Sequence, residues 1–179
     1  MKIIPIASGS SGNCYIINDD LMIEAGLPSN KLKKKLWDKG ISISNIDNCL
    51  ISHKHSDHYQ AAEYLSNQST NIILPKKSEK GSKTNPIRKD RLIYFKHNKL
   101  YKIGRYVVRA LELDHDNIPI LGYIIKDTNT EENLFYATDT KYIKYTPSDI
   151  DYFMIEINYQ KKYLEEAIKE GQMTRENMR

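Results

Sequence analysis

The chain has 179 residues, 40% of them hydrophobic and 28% charged, with a formal net charge of +4. Such a chain buries a sizeable core without staples, and no apolar run approaches the roughly 20 residues needed to span a bilayer. Met1-Lys2-Ile3-Ile4-Pro5 is too short and polar for a signal peptide, so the expectation is one cytoplasmic domain over residues 1–179, basic enough for a polyanionic partner.

In chain order, Ile3 to Ile6, Tyr15 to Ile17 and Leu21 to Ile23 are short apolar runs between Gly, Ser, Asn and Asp. They read as adjacent strands with tight turns. Ser29 is placed to cap a helix through Lys31-Leu32-Lys33-Lys34-Lys35-Leu36-Trp37 that ends near Gly40. Leu32, Leu36 and Trp37 are expected to face the core, with the lysines on a solvated side. Cys49-Leu50-Ile51 reads as a strand that releases its end into a histidine-rich loop, and Tyr59 to Leu65 as a helix beginning directly after His58. Strands follow at Asn71 to Leu74 and Leu92 to Phe95, in a hairpin through Tyr101 to Ile103 and Tyr106 to Leu113, and at Leu121 to Ile125, Leu134 to Ala137 and Tyr152 to Ile157. Asn158 to Glu170 reads as a helix closed by Gly171. Cys14 and Cys49 sit in apolar strand-like stretches, which favours two buried free thiols over a disulfide. Periodicity alone describes a strand-rich chain of mixed α and β structure.

The residues richest in chemistry are His53-Lys54-His55-Ser56-Asp57-His58, an H-x-H-x-D-H. Imidazole and carboxylate at this spacing suit Zn²⁺, and Mn²⁺ or Fe²⁺ also accept such mixed sets. A strand end is a rigid support for a loop that faces substrate. The motif resembles the signature of the metallo-β-lactamase-fold superfamily. The opening Ser8-Gly9-Ser10-Ser11-Gly12-Asn13 resembles the start of a narrower group, the WalJ (YycJ)-type DNA exonucleases and related phage-borne metallo-hydrolases. The resemblance runs in order from Ile3 to the region of Tyr159.

That resemblance implies an α/β (α+β) architecture, the αββα sandwich, with two divalent metal ions: Zn²⁺, or alternatively Mn²⁺. A lone His115 in Leu113-Asp114-His115-Asp116 is by itself an ordinary strand-end histidine. Its place in the order matches the family's third metal motif. Likewise Asp139, in Ala137-Thr138-Asp139-Thr140, matches the carboxylate that bridges two ions. The implied scheme gives His53, His55 and His115 to one ion and Asp57 and His58 to the second, with Asp139 between them. A metal-bound hydroxide is then the nucleophile, and Asp57 is near enough to act as its catalytic proton acceptor. Glu24-Ala25-Gly26 stands where the family commonly has D-A-G, so Glu24 is expected to orient ligands from behind. The family's last histidine, in an H-L-S-like motif, has no counterpart. The final part of the fold is therefore expected to be missing, and this chain's own activity is open.

The substrate signals are compositional. Between Pro75 and Arg91 lie Lys76, Lys77, Lys80, Lys83, Arg88, Lys89 and Arg91; of these Lys76, Lys77 and Arg88 are the candidate phosphate contacts. The Ser8 to Gly12 loop offers backbone amides to an oxyanion, though a tight turn explains it equally well. The leading expectation is a dinuclear metal-dependent nuclease acting on DNA. The alternatives are a hydrolase of a small phosphodiester, ester or thioester, and an inactive remnant that binds metal without catalysis. Native metal, exo- or endonuclease mode and oligomeric state stay open.

Overall fold

The computed structural model describes residues 1–79, 87–115, 118–145 and 147–156. Strands β1 (Ile3–Ala7), β2 (Cys14–Ile17), β3 (Leu21–Ile23), β4 (Asn48–Leu50), β5 (Asn71–Pro75) and β6 (Leu92–Phe95) form a six-stranded sheet in chain order. Its first three strands are antiparallel neighbours; from β3 to β6 the pairing is parallel. Strands β7 (Leu100–Ile103), β8 (Tyr106–Glu112), β9 (Leu121–Asp127), β10 (Asn133–Ala137) and β11 (Tyr152–Ile155) form a second sheet, in the order β11-β10-β9-β8-β7. It is antiparallel except where β10 meets β11.

Side-chain alternation sorts the first sheet's residues between two cores. Ile16, Met22, Cys49, Ile72 and Leu74 face outward and pack with Leu32 and Leu36 of α1 (Ser29–Asp38) and Leu65 of α3 (Ala62–Asn67). Ile17, Leu21, Ile23, Leu50, Ile73 and Phe95 face the second sheet and meet Val108, Ala110, Leu121, Tyr123, Ile125 and Leu134. Strands β3 to β5 are thus covered on both faces, which is why they read as unbroken apolar runs. Sheet on sheet, with helices on the outer face of the first among the described residues, is the expected sandwich. The helix expected over Asn158 to Glu170 lies outside the described residues. Cys14 and Cys49 are buried free thiols. Among the described residues no helix is long and apolar enough to cross a membrane.

Three expectations are corrected. Ser29 is the first helical residue and caps nothing; Pro28 holds the N-cap position without a side-chain bond. Trp37 is 83% exposed, because Leu32 and Leu36 already occupy the buried stripe and the next residue lies about 100° further round the helix. The helix after His58 comes in two pieces, α2 (Ser56–Tyr59) and α3. A continuous helix needs the Asp57 and His58 carbonyls for its own ladder. Here they accept the Asn13 and Ala25 N–H groups (both 2.8 Å), while Ala61 N–H turns to the Ala25 carbonyl (2.7 Å).

Candidate metal centre

The H-x-H-x-D-H leaves the carboxyl end of β4, the usual position for a ligand site in a parallel sheet. The second sheet fastens this end: Tyr123 donates its hydroxyl to the Ile51 carbonyl at 2.7 Å, and Leu121 N–H donates to the Ser52 carbonyl at 3.0 Å. Ser52 Oγ lies 2.9 Å from His53 Nδ1, so the His53 Nε2 edge faces the interior of the site. There it lies 2.9 Å from His55 Nδ1, and His55 Nδ1 lies 3.3 Å from His115 Nε2. On its other side His53 Nε2 is 3.5 Å from Asp139 Oδ2. His58 Nε2 sits 2.8 Å from that oxygen and 3.3 Å from Asp57 Oδ2.

These spacings fit metal ligation. Four donors bound tetrahedrally at about 2.0–2.1 Å stand about 3.3–3.4 Å from one another. Two overlapping groups have their ligand atoms within 4.8 Å of one another, His53 with His55 and His115, and His53 with His58 and Asp139. Asp57 extends the second group. All six residues named from sequence as metal ligands are therefore brought together.

Long-range contacts hold the two distant donors. His115 follows β8 and Asp139 follows β10, and their loops are joined by Lys141 N–H to the Asp114 carbonyl at 3.0 Å. Asp139 has φ 47°, a left-handed conformation sparsely populated by residues other than glycine. Glu156, just past β11, accepts the Asp139 N–H at 3.0 Å and the Thr138 hydroxyl through the same oxygen, which supports that turn. Sequence reading did not single out Glu156; its one signal is an acid closing the otherwise apolar run of β11.

Glu24 lies behind the site. It is fully buried, and its Oε1 accepts the Tyr136 hydroxyl at 3.0 Å and the Ser52 N–H at 3.2 Å. Its Oε2 lies 3.5 Å from His58 Nδ1, a buried nitrogen without a hydrogen-bond partner among the described residues. A cation held at Nε2 would leave the ring proton on Nδ1, where Glu24 could accept its hydrogen bond. Electrostatics agree with a place for positive charge. Burial, aided by the neighbouring His58, pushes His53 down to about 3. Burial opposes a charge on His58 too, but the neighbouring Asp139 and Glu24 carboxylates outweigh it and raise His58 to about 10. The hydrogen bond with His58 holds Asp139 well below the usual carboxylate range. A proton on His58 thus ties the carboxylates together, and a divalent cation does the same with more charge.

The first loop closes against this turn with no slack. A Cβ on Gly26 would stand 1.6 Å from the Asp57 carbonyl oxygen, and one on Gly12 would stand 2.4 Å from the Gly26 carbonyl oxygen. Asn13, between these glycines in space, is buried. Its Oδ1 accepts the Gly9 N–H at 3.0 Å and its Nδ2 lies 3.3 Å from His58 Nε2.

The substrate candidates divide. Lys76 and Lys77 follow β5 at the same end of the sheet as the histidines, and Lys54 of the motif donates to the Ser78 carbonyl at 3.1 Å. They line a cavity of about 250 Å³ with His97, Glu112 and Ile120. Lys77 pairs with Glu112, and Lys76 Nζ lies 5.2 Å from the Tyr94 ring centre. Arg88 is not brought there. Parallel pairing of β5 with β6 puts it at the opposite end of the sheet, about 15 Å away at the usual strand rise, where it pairs with Asp90 at 2.7 Å. Lys80, Lys83, Asp116, Asn158 and Tyr159 lie outside the described residues.

The sequence matches the family described as the beta-lactamase superfamily domain over residues 25–178. It is similar to the exodeoxyribonuclease WalJ of Streptococcus pneumoniae, with 24% identity over 172 residues covering 89% of this chain and 63% of that protein. The exodeoxyribonuclease YycJ of Bacillus anthracis is 23% identical over 144 residues, covering 77% of this chain and 54% of that protein. The chain thus spans less than two thirds of the length of these relatives. Among solved structures, a HARLDQ-motif mutant of the metallo-beta-lactamase from Cronobacter sakazakii aligns with a TM-score of 0.62 at 12% identity, covering 94% of this chain and 82% of that one.

Proposed function

Because this chain belongs to the beta-lactamase superfamily, we propose that it is a dinuclear metal-dependent hydrolase that cleaves phosphodiester bonds in DNA. The observation that carries the reading is the pair of overlapping donor groups that share His53, within reach of one another at the end of a parallel strand. The exonuclease names of two relatives support the choice of substrate.

His53, His55 and His115 would hold one divalent cation and Asp57, His58 and Asp139 a second, and the pair would supply a water that ionises near neutral pH and would offset the charge on phosphoryl oxygens. Asp57, partly exposed at the first turn of α2, accepts the proton of the attacking water. The phosphorus–oxygen bond to the leaving group breaks, and that oxygen takes up a proton, leaving a phosphomonoester and an alcohol. Ser52 and Glu24 hold His53 and His58 in their ligating orientations, and Glu156 holds Asp139. Lys76 and Lys77 steer the backbone by charge, a contribution that weakens with salt. Arg88 has no part in this scheme.

The test is end-labelled single- and double-stranded DNA incubated with metal-loaded protein. Release of nucleotides that EDTA and His55→Ala both abolish is the expected result. A two-metal protein that leaves DNA intact but hydrolyses a thioester or bis(p-nitrophenyl) phosphate refutes the DNA reading.

A further inference from the structure

We infer that Asn13 is a ligand of the second cation: its side-chain carbonyl closes the site formed by Asp57, His58 and Asp139 and makes it harder than the first. The inference rests on the two-metal reading above.

Among the described residues, Asp57, His58 and Asp139 give the second site three donors, one fewer than a tetrahedron takes. Asn13 stands beside His58. Its amide is 3.3 Å from His58 Nε2, the same separation that Asp57 Oδ2 keeps, and equal to the edge of a tetrahedral site at about 3.3 Å. The backbone fixes it there. Asn13 N–H donates to the Asp57 carbonyl at 2.8 Å, and its own carbonyl accepts the Gly26 N–H at 2.9 Å. Gly12, at φ 134°, has no room for a side chain that could shift the turn.

Asn13 directs its nitrogen at His58 and its oxygen at the Gly9 N–H. An amide nitrogen has no lone pair to give a cation, whereas the carbonyl oxygen has two. A half-turn about the terminal bond exchanges them without moving the side chain. Gly9 lies in an exposed loop, so water replaces the bond it loses. A cation at His58 Nε2 repels the nitrogen and attracts the oxygen, and so selects the turned amide.

The two sites then differ in chemistry. Three imidazoles make the first a Zn²⁺-type site. One imidazole, two carboxylates and an amide oxygen make the second suitable for Mn²⁺ or another hard divalent ion.

The experiment is a titration of metal-stripped protein, one equivalent of Zn²⁺ followed by Mn²⁺, with free Mn²⁺ read by electron paramagnetic resonance. The wild type is expected to take one of each. Asn13→Ala is expected to keep Zn²⁺ and bind Mn²⁺ at least tenfold more weakly, and Asn13→Asp to bind it at least tenfold more tightly. Unchanged Mn²⁺ affinity in Asn13→Ala overturns the role of Asn13 and leaves the two-metal reading standing. Wild type that holds fewer than two ions overturns both. Should Asn13→Ala fail to fold, Asn13→Asp decides: unchanged or weaker Mn²⁺ binding overturns the inference.

Discussion

Gly26→Ala tests whether the first loop sets the position of Asp57. The added Cβ would lie 1.6 Å from the Asp57 carbonyl oxygen and 2.7 Å from the Asn13 nitrogen, both of them backbone atoms. The two segments must therefore part by about 1.8 Å to restore ordinary contact in a close-packed interior. Overpacking of this kind costs about 1–3 kcal/mol. Parting also breaks Asn13 N–H to Asp57 O and strains Gly26 N–H to Asn13 O, at about 1 kcal/mol each. The sum is about 3–5 kcal/mol, a large share of the stability of a typical domain. Displacing Asp57 by about 1 Å should also cost about a hundredfold in catalysis. Urea unfolding measures the first effect, and the rate of DNA hydrolysis at full metal loading measures the second. Gly40→Ala and Gly104→Ala are the controls, since their added Cβ meets nothing within 4 Å and only positive φ opposes it, at about 1–2 kcal/mol. A Gly26→Ala protein as stable as these controls, with an undiminished rate at full metal loading, refutes the reasoning.

Three further outcomes are expected. His55→Ala removes an imidazole from the first group and should lower metal affinity by at least about a hundredfold, the upper end of what losing a mere supporting partner costs; equilibrium dialysis reads it. Glu156→Ala frees the Asp139 turn, so second-ion affinity should fall about tenfold while the unfolding midpoint of the metal-free protein barely moves; an unchanged affinity would show that Asp139 needs no such support. Asp127 is buried, which by itself raises its pKa, but Arg105, Asn18 (2.8 Å) and the Asn129 N–H (2.9 Å) bring it below the ordinary carboxylate value of 3.8. Its contribution is thus present above pH 3.8 and lost as pH falls through the lower folded value. Asp127→Asn should cost about 2–3 kcal/mol at neutral pH, less than a fully buried pair because Arg105 is partly exposed, and should flatten the acid limb of the stability curve measured by circular dichroism.

Much of this protein was legible in its local spacing. Residues two apart share a face of a strand, so the apolar runs from Ile3 to Ile155 could be read as strands without knowing their partners. Three imidazoles and a carboxylate within six residues are likewise a local fact, because one loop carries them all. Family resemblance extended the list to His115, Asp139 and Glu24, whose spacing alone says nothing of one another. Pairing between distant strands decided the rest. It carried the ends of β8 and β10 to the end of β4 and so joined His115 and Asp139 to the motif. It set Glu156 under Asp139 and turned Asn13 toward His58. The same parallel register sent Arg88 to the far end of the sheet, although it is only twelve residues from Lys76. The carbonyls taken by Asn13 and Ala25 broke a helix that its own sequence would have continued. Short-range periodicity determines which side of an element a residue faces; only the hydrogen-bonded order of the sheets determines which element ends, and so which side chains, meet at the site.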